Sequence, residues 1–143
     1  MKVFNEIVVV EDNTVDGMFI SKTLRDSNKG ISLLVLDSCE RALDYVTSSG
    51  EYAGKEVEIP RLLILDLKQP GMSGFQFLSS VRGNSSIRHF PIVVFSDSTA
   101  DHDRTLAMNL GANGFFTKSV ELDSFLRSIR EIAHTWLGEP IEH

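Results

Sequence analysis

Five residues that could do chemistry stand just past short apolar runs. Glu11 and Asp12 close Ile7-Val8-Val9-Val10, Asp66 closes Leu62 to Leu65, Ser96 closes Ile92 to Phe95, and Lys118 follows Phe115-Phe116. Any one acidic residue in such a place is more often a helix cap or turn former. Three carboxylates, a hydroxyl and an ammonium at successive run ends are harder to dismiss. Carboxylates about 4 Å apart repel by ~1 kcal/mol in water and several-fold more near a protein surface. Three together need a cation, or one must hold a proton. Hard oxygen ligands with room for water favour magnesium over zinc. Magnesium beside a carboxylate, a lysine and a hydroxyl suits phosphoryl transfer. Metal and ammonium neutralise the equatorial oxygens while one carboxylate attacks in line and becomes an acyl phosphate.

Other chemistries find less support. Cys39 is the single cysteine, and His89, His102, His134 and His143 lack zinc-ligand spacing. Asp101-His102-Asp103 reads as a solvated helix start. There is no Gly-x-Gly-x-x-Gly, no Gly-Lys-Ser/Thr phosphate loop and no Gly-x-Ser-x-Gly elbow. Acidic residues outnumber basic ones 20 to 14, for a net charge of −6, which argues against binding nucleic acid through its phosphates. No secretory h-region and no run near the ~18 apolar residues of a membrane span occur, so a cytoplasmic protein without a membrane partner is expected.

The elements that position these residues follow from the same runs. They are bulky, too short for helices and continuous, which suits strands of a parallel sheet buried on both faces. Amphipathic stretches lie between them. Residues 14–27 follow the cap candidates Asp12 and Asn13, residues 39–49 follow Ser38, and Gly74 to Arg82 carries Phe75, Leu78 and Val81. Ser98 and Asp101 have capping-box spacing for a short helix ending before Gly111. The last helix shows Leu122, Phe125, Leu126, Ile129, Ile132, Ala133 and Trp136 three or four apart. Five β-α units predict an α/β, flavodoxin-like, doubly wound five-stranded parallel sheet, strand order 2-1-3-4-5, with helices on both faces. Ligands of such sheets bind beyond the carboxyl ends of the strands, where the five residues fall. Ser48 to Pro60 reads as a surface loop. At 143 residues, 42% hydrophobic and 24% charged, one domain over 1–143 with no output domain is expected.

The motifs resemble those of response-regulator receiver domains, and of the stand-alone, chemotaxis-type members. The match comprises Val8-Val9-Val10-Glu11-Asp12-Asn13, Leu63-Ile64-Leu65-Asp66-Leu67, Pro70-Gly71-Met72-Ser73-Gly74, Val93-Val94-Phe95-Ser96 and Gly111 through Lys118. It covers residues 5 to about 137, in the correct order and spacing. The resemblance implies that Asp66 is the phosphoacceptor. Asp12 would bind Mg2+ directly, Glu11 through water, and the backbone carbonyl of Lys68 would complete the protein ligands. Ser96 and Lys118 would each hold a phosphoryl oxygen, and Phe115 would be the switch aromatic, moving with Ser96. Implied partners are a histidine kinase or histidine phosphotransfer protein and a downstream protein, with the chain a monomer or weak homodimer.

Several positions depart from the family pattern. Glu11 replaces the commoner Asp, Phe115 lacks a tyrosine hydroxyl, and Ser119 stands where proline and its cis peptide are usual. Lys68 and Asp97 are the more consequential. They are expected either to pair across the mouth of the pocket and narrow access to Asp66, or to point separately into solvent. The alternative function is a degenerate receiver that binds protein independently of phosphorylation. An aspartyl-phosphate phosphatase ranks third, because such enzymes carry a second Asp where this chain has Lys68.

Overall fold

Each apolar run becomes a strand, in a computed structural model that describes residues 2–138. His143 lies outside the described residues. The main sheet consists of β2 (Ile7–Val10), β3 (Leu33–Leu36), β5 (Leu62–Leu65), β6 (Ile92–Ser96) and β7 (Gly114–Thr117). All pairs are parallel, in the order β3-β2-β5-β6-β7. Counted within this sheet alone, that is the expected 2-1-3-4-5 arrangement. The helices are α1 (Thr14–Ser27), α2 (Cys39–Thr47), α3 (Gly74–Arg82), α4 (Asp101–Asn109) and α5 (Leu122–Leu137). None among the described residues is long and apolar enough to cross a membrane.

Side chains alternate across a strand, so each continuous run feeds two cores. Val8, Val10, Leu63, Leu65 and Val94 pack with Tyr45, Phe77, Leu78 and Ala107 from α2, α3 and α4. Ile7, Val9, Ile64, Val93 and Phe95 pack with Ile20, Leu24, Phe125 and Ile129 from α1 and α5. Each fully buried Val, Leu, Ile or Phe contributes roughly 1.5–3 kcal/mol. The strand β3 departs from burial on both faces. It is an edge strand, and Val35 is left exposed beside α1.

The helix starts show which side chains do the capping. Asn13, not Asp12, caps α1 by accepting from Asp16 N at 3.0 Å, and Ser38 caps α2 through Arg41 N at 3.1 Å. Helix α2 stops at Thr47, two residues short of the expected end, because Ser48 turns into the left-handed region at φ 53. A capping box does occur, but on α3. Ser73 and Gln76 exchange side-chain-to-backbone bonds there, a Ser-x-x-Gln pattern that sequence reading passed over. The box expected from Ser98 and Asp101 does not form. The Ser98 hydroxyl instead donates to Asp103 Oδ2 at 2.5 Å and accepts from Ala100 N, so α4 starts later, after Ala100 and without a side-chain cap.

The Ser48–Pro60 stretch is more structured than a plain loop. It holds a 3-10 turn at Gly50–Tyr52 and a strand, β4 (Glu56–Val57), which pairs in parallel with β1 (Lys2–Val3) as a separate two-stranded sheet. Two-residue strands have no run to announce them. Their cause is tertiary, since Val3 and Val57 both cover the core beneath α2.

Candidate functional site

Register brings the functional side chains together. Val10 pairs with Leu65, so the next residues, Glu11 and Asp66, emerge side by side. Asp66 N donates to Val10 O at 3.1 Å and holds that alignment. Ser96 pairs with Thr117, and Lys118 N donates back to Ser96 O at 2.7 Å. Glu11, Asp12, Asp66, Ser96 and Lys118 therefore share the carboxyl-end rim that the sequence pattern pointed to. Glu11, Asp66 and Ser96 are buried, and Asp12 is exposed at the mouth.

One ammonium holds this rim together. Lys118 Nζ lies 2.6 Å from Glu11 Oε1, 2.8 Å from Asp16 Oδ2 and 3.7 Å from Asp66 Oδ2. The other Glu11 oxygen accepts from Asn13 N at 3.2 Å. Burial pushes Glu11 up to about 7; the Lys118 hydrogen bond pulls it down and the Asp66 charge adds to the rise. Burial likewise raises Asp66, although Lys118 opposes it. Burial works against the charge on Lys118, but its bonds to Asp16 and Glu11 outweigh that, and the ammonium is held above its ordinary value. It stays protonated across the physiological range.

Carboxylate oxygens of Glu11, Asp12 and Asp66 come within 4.8 Å of one another. This all-oxygen set, open to solvent on the Asp12 side, could hold a hard divalent cation. Raised carboxylate values have the same origin: negative charge is concentrated where little water reaches it.

The loop after Asp66 is pinned from three sides. Lys68 N approaches Asp66 Oδ1 at 3.4 Å, while the Lys68 side chain is exposed. Gln69 Nε2 donates to Val10 O and Asp66 O, tying the two strand ends together, and Gln69 Oε1 is left buried without a partner. Glu40 accepts from Met72 N at 3.0 Å. At Gly74, a Cβ would sit 2.8 Å from Leu67 Cα and 2.9 Å from Asp66 O, so only glycine lets α3 start this close to the acidic rim.

Phe115 is buried, with the Arg104 guanidinium 4.8 Å from its ring centre. Arg104 also donates to Phe115 O at 3.3 Å, so α4 grips the aromatic and its backbone together. The β6–α4 turn is tied down by Thr117 Oγ1 donating to Ser98 O.

Of the two arrangements expected for Lys68 and Asp97, the structure has the second, with the side chains apart. No ion pair joins Lys68 to Asp97 among the described residues; both are exposed. An exposed pair gains at most about 1 kcal/mol, too little to hold the long Lys68 side chain to Asp97 against solvent. Asp97 instead lines a recess with Asp16, Lys118 and Ser119. Asp16, bonded to Lys118 at 2.8 Å, is a site residue that the sequence pattern did not single out. Its signal was its place one helical turn beyond Asp12, at the third position of α1.

Comparison with known proteins agrees with this geometry. A profile for the response regulator receiver domain matches residues 7–130. A Methanothrix harundinacea protein named "Probable methanogenesis regulatory protein FilR2" is 30% identical over 92% of this chain and 83% of its own. The phosphorylated cyanobacterial phytochrome response regulator RcpA superposes with a TM-score of 0.85 at 28% identity, covering 94% of this chain and 95% of that one. The Mn2+-bound form of response regulator Rcp1 gives a TM-score of 0.85 at 26% identity, covering 96% and 99%.

Proposed function

This chain belongs to the response regulator receiver domain family, a signalling family, and on that premise we propose that it carries a signal by accepting a phosphoryl group on Asp66. The observation that supports this most is the Lys118 ammonium 3.7 Å from Asp66 Oδ2, at a rim where three carboxylates come within 4.8 Å. Asp66 is a nucleophile with a cation beside it and a solvent path through Asp12.

A carboxylate oxygen of Asp66 attacks phosphorus on a phosphohistidine of the donor. The P–N bond breaks, its electron pair returns to the imidazole nitrogen, and that nitrogen takes a proton from solvent. Asp66 is left as an acyl phosphate. Lys118 and Ser96 each hold a phosphoryl oxygen, and their hold strengthens as charge gathers on the transferring group. Asp12, Asp66 and the Lys68 carbonyl would hold Mg2+, with Glu11 acting through water, and the ion would supply positive charge to offset the three carboxylates as a phosphoryl group approaches. That response regulator Rcp1 has a Mn2+-bound form supports a divalent ion for this chain.

The donor is a histidine kinase or a histidine phosphotransfer protein. Phosphorylation draws Ser96 toward the new group, Phe115 follows, and affinity for a downstream protein changes. The chain acts as one receiver domain in the cytoplasm, as a monomer or weak homodimer. The match to most of the length of FilR2 and Rcp1 supports the single-domain reading. Incubation with acetyl phosphate and Mg2+, followed by intact mass, tests the proposal. One added phosphoryl group is expected, whereas no adduct would favour the degenerate, phosphorylation-independent binding module.

A further inference from the structure

Lys118 makes its shortest bonds to groups other than Asp66. An ammonium has three N–H donors. One serves Glu11 at 2.6 Å and a second serves Asp16 at 2.8 Å, while the 3.7 Å to Asp66 is an ion-pair distance, beyond a hydrogen bond. Asp16 stands apart from the strand ends. It belongs to the first turn of α1, and its own N–H donates to the capping Asn13 side chain at 3.0 Å. The Lys118–Asp16 contact thus joins the end of the last strand to the start of the first helix.

We propose that Asp16 is a positioning residue: it tethers the Lys118 ammonium to α1, and a phosphoryl group on Asp66 must draw Lys118 off this tether. The proposal rests on the reading of Asp66 as acceptor. The two carboxylates that share the ammonium are unequal. The Glu11 side chain is 2% exposed, so losing its cation would leave a buried charge uncompensated. Asp16 is 27% exposed, and water can replace the ammonium at low cost. Of the two short bonds, the one to Asp16 is the one released. The start of α1 then changes its contacts with the state of Asp66.

The test uses the full chain with saturating Mg2+ and beryllium trifluoride, a mimic of the phosphoryl group on a carboxylate. Asp16→Asn removes the tether and should tighten beryllium trifluoride binding by about threefold to tenfold. Asp97→Asn removes the same charge from the same recess without touching Lys118, and should change binding by less than about twofold. Asp16→Glu restores a carboxylate and should return affinity toward wild type. A second readout needs no metal: the Lys118 ammonium protons, followed through their 15N resonance, should exchange at the same slow rate in the wild type and in Asp97→Asn, and faster in Asp16→Asn, where the Glu11 bond alone remains. Equal tightening in Asp16→Asn and Asp97→Asn, or unchanged binding in Asp16→Asn, would overturn the tether. Failure of the wild type to bind the probe would overturn the acceptor reading and the exchange together, while an unprotected Lys118 resonance in the wild type would overturn the tether alone.

Discussion

Replacing Lys118 by methionine removes the ammonium and keeps most of the side-chain length. Its partners Glu11 and Asp66, at 2.6 and 3.7 Å, are almost closed to solvent. Removing one partner of a buried pair costs about 3–5 kcal/mol, because a charge is left uncompensated. Here the carboxyl groups can escape by taking up protons. Burial already holds Glu11 at about 7 and keeps Asp66 raised with the ammonium present, and without it both rise further. Above ordinary carboxylate values the folded state then binds more protons than the unfolded chain. Stability must therefore fall as pH rises, until the folded-state values are passed. Metal-free Lys118→Met should lie close to wild type at about pH 5.5 and be about 3–5 kcal/mol less stable at about pH 8.5. At roughly 3 °C per kcal/mol, the Tm difference at the higher pH is about 10–15 °C. Urea unfolding in EDTA, followed by circular dichroism at both pH values, measures it. Equal losses at the two pH values would assign the effect to packing. No loss at the higher pH would show that the ammonium does not neutralise this cluster, and either result refutes the reasoning.

Asp12→Ala should weaken Mg2+ binding by at least about tenfold in calorimetric titration, and an unchanged affinity would make the acidic cluster structural only. Mg2+ affinity of the wild type should rise between about pH 6 and 8, because protons on Glu11, held at about 7, and on the raised Asp66 compete with the metal; a flat profile would contradict this. Gly74→Ala places a methyl 2.8 Å from Leu67 Cα and 2.9 Å from Asp66 O, backbone that cannot rotate away, and should cost about 1–3 kcal/mol in urea unfolding. A neutral result would show that the loop after Asp66 has room to shift.

The frame of the molecule was legible because its strands are continuous apolar runs. Val8-Val9-Val10 and Leu63-Ile64-Leu65 suit burial on both faces, as inside a parallel sheet, and in the observed order Glu11, Asp66, Ser96 and Lys118 meet at one rim. What escaped sequence reading depends on side-chain choice or on contacts distant in sequence. The Ser98 hydroxyl could cap α4 or bond Asp103, and it bonds Asp103. Lys2–Val3 and Glu56–Val57 become strands through each other, with no periodicity of their own. Asp16 became visible as a Lys118 partner only when α1 was packed beside α5 through Ile20 and Leu24 with Phe125 and Ile129. Lys68 and Asp97 follow adjacent strands, but proximity of backbones does not bring exposed side chains into contact.

Direct chemical placement of the phosphoryl group tests the central claim. After acetyl phosphate and Mg2+, borohydride reduces an acyl phosphate to the alcohol, so a phosphorylated aspartate becomes homoserine and is located by peptide mass mapping. Homoserine is expected at residue 66 in the wild type, and no labelling is expected in Asp66→Asn, which keeps the shape but lacks the attacking carboxylate. Homoserine at Asp12 or elsewhere in place of residue 66, or persistent labelling of Asp66→Asn, would contradict the account.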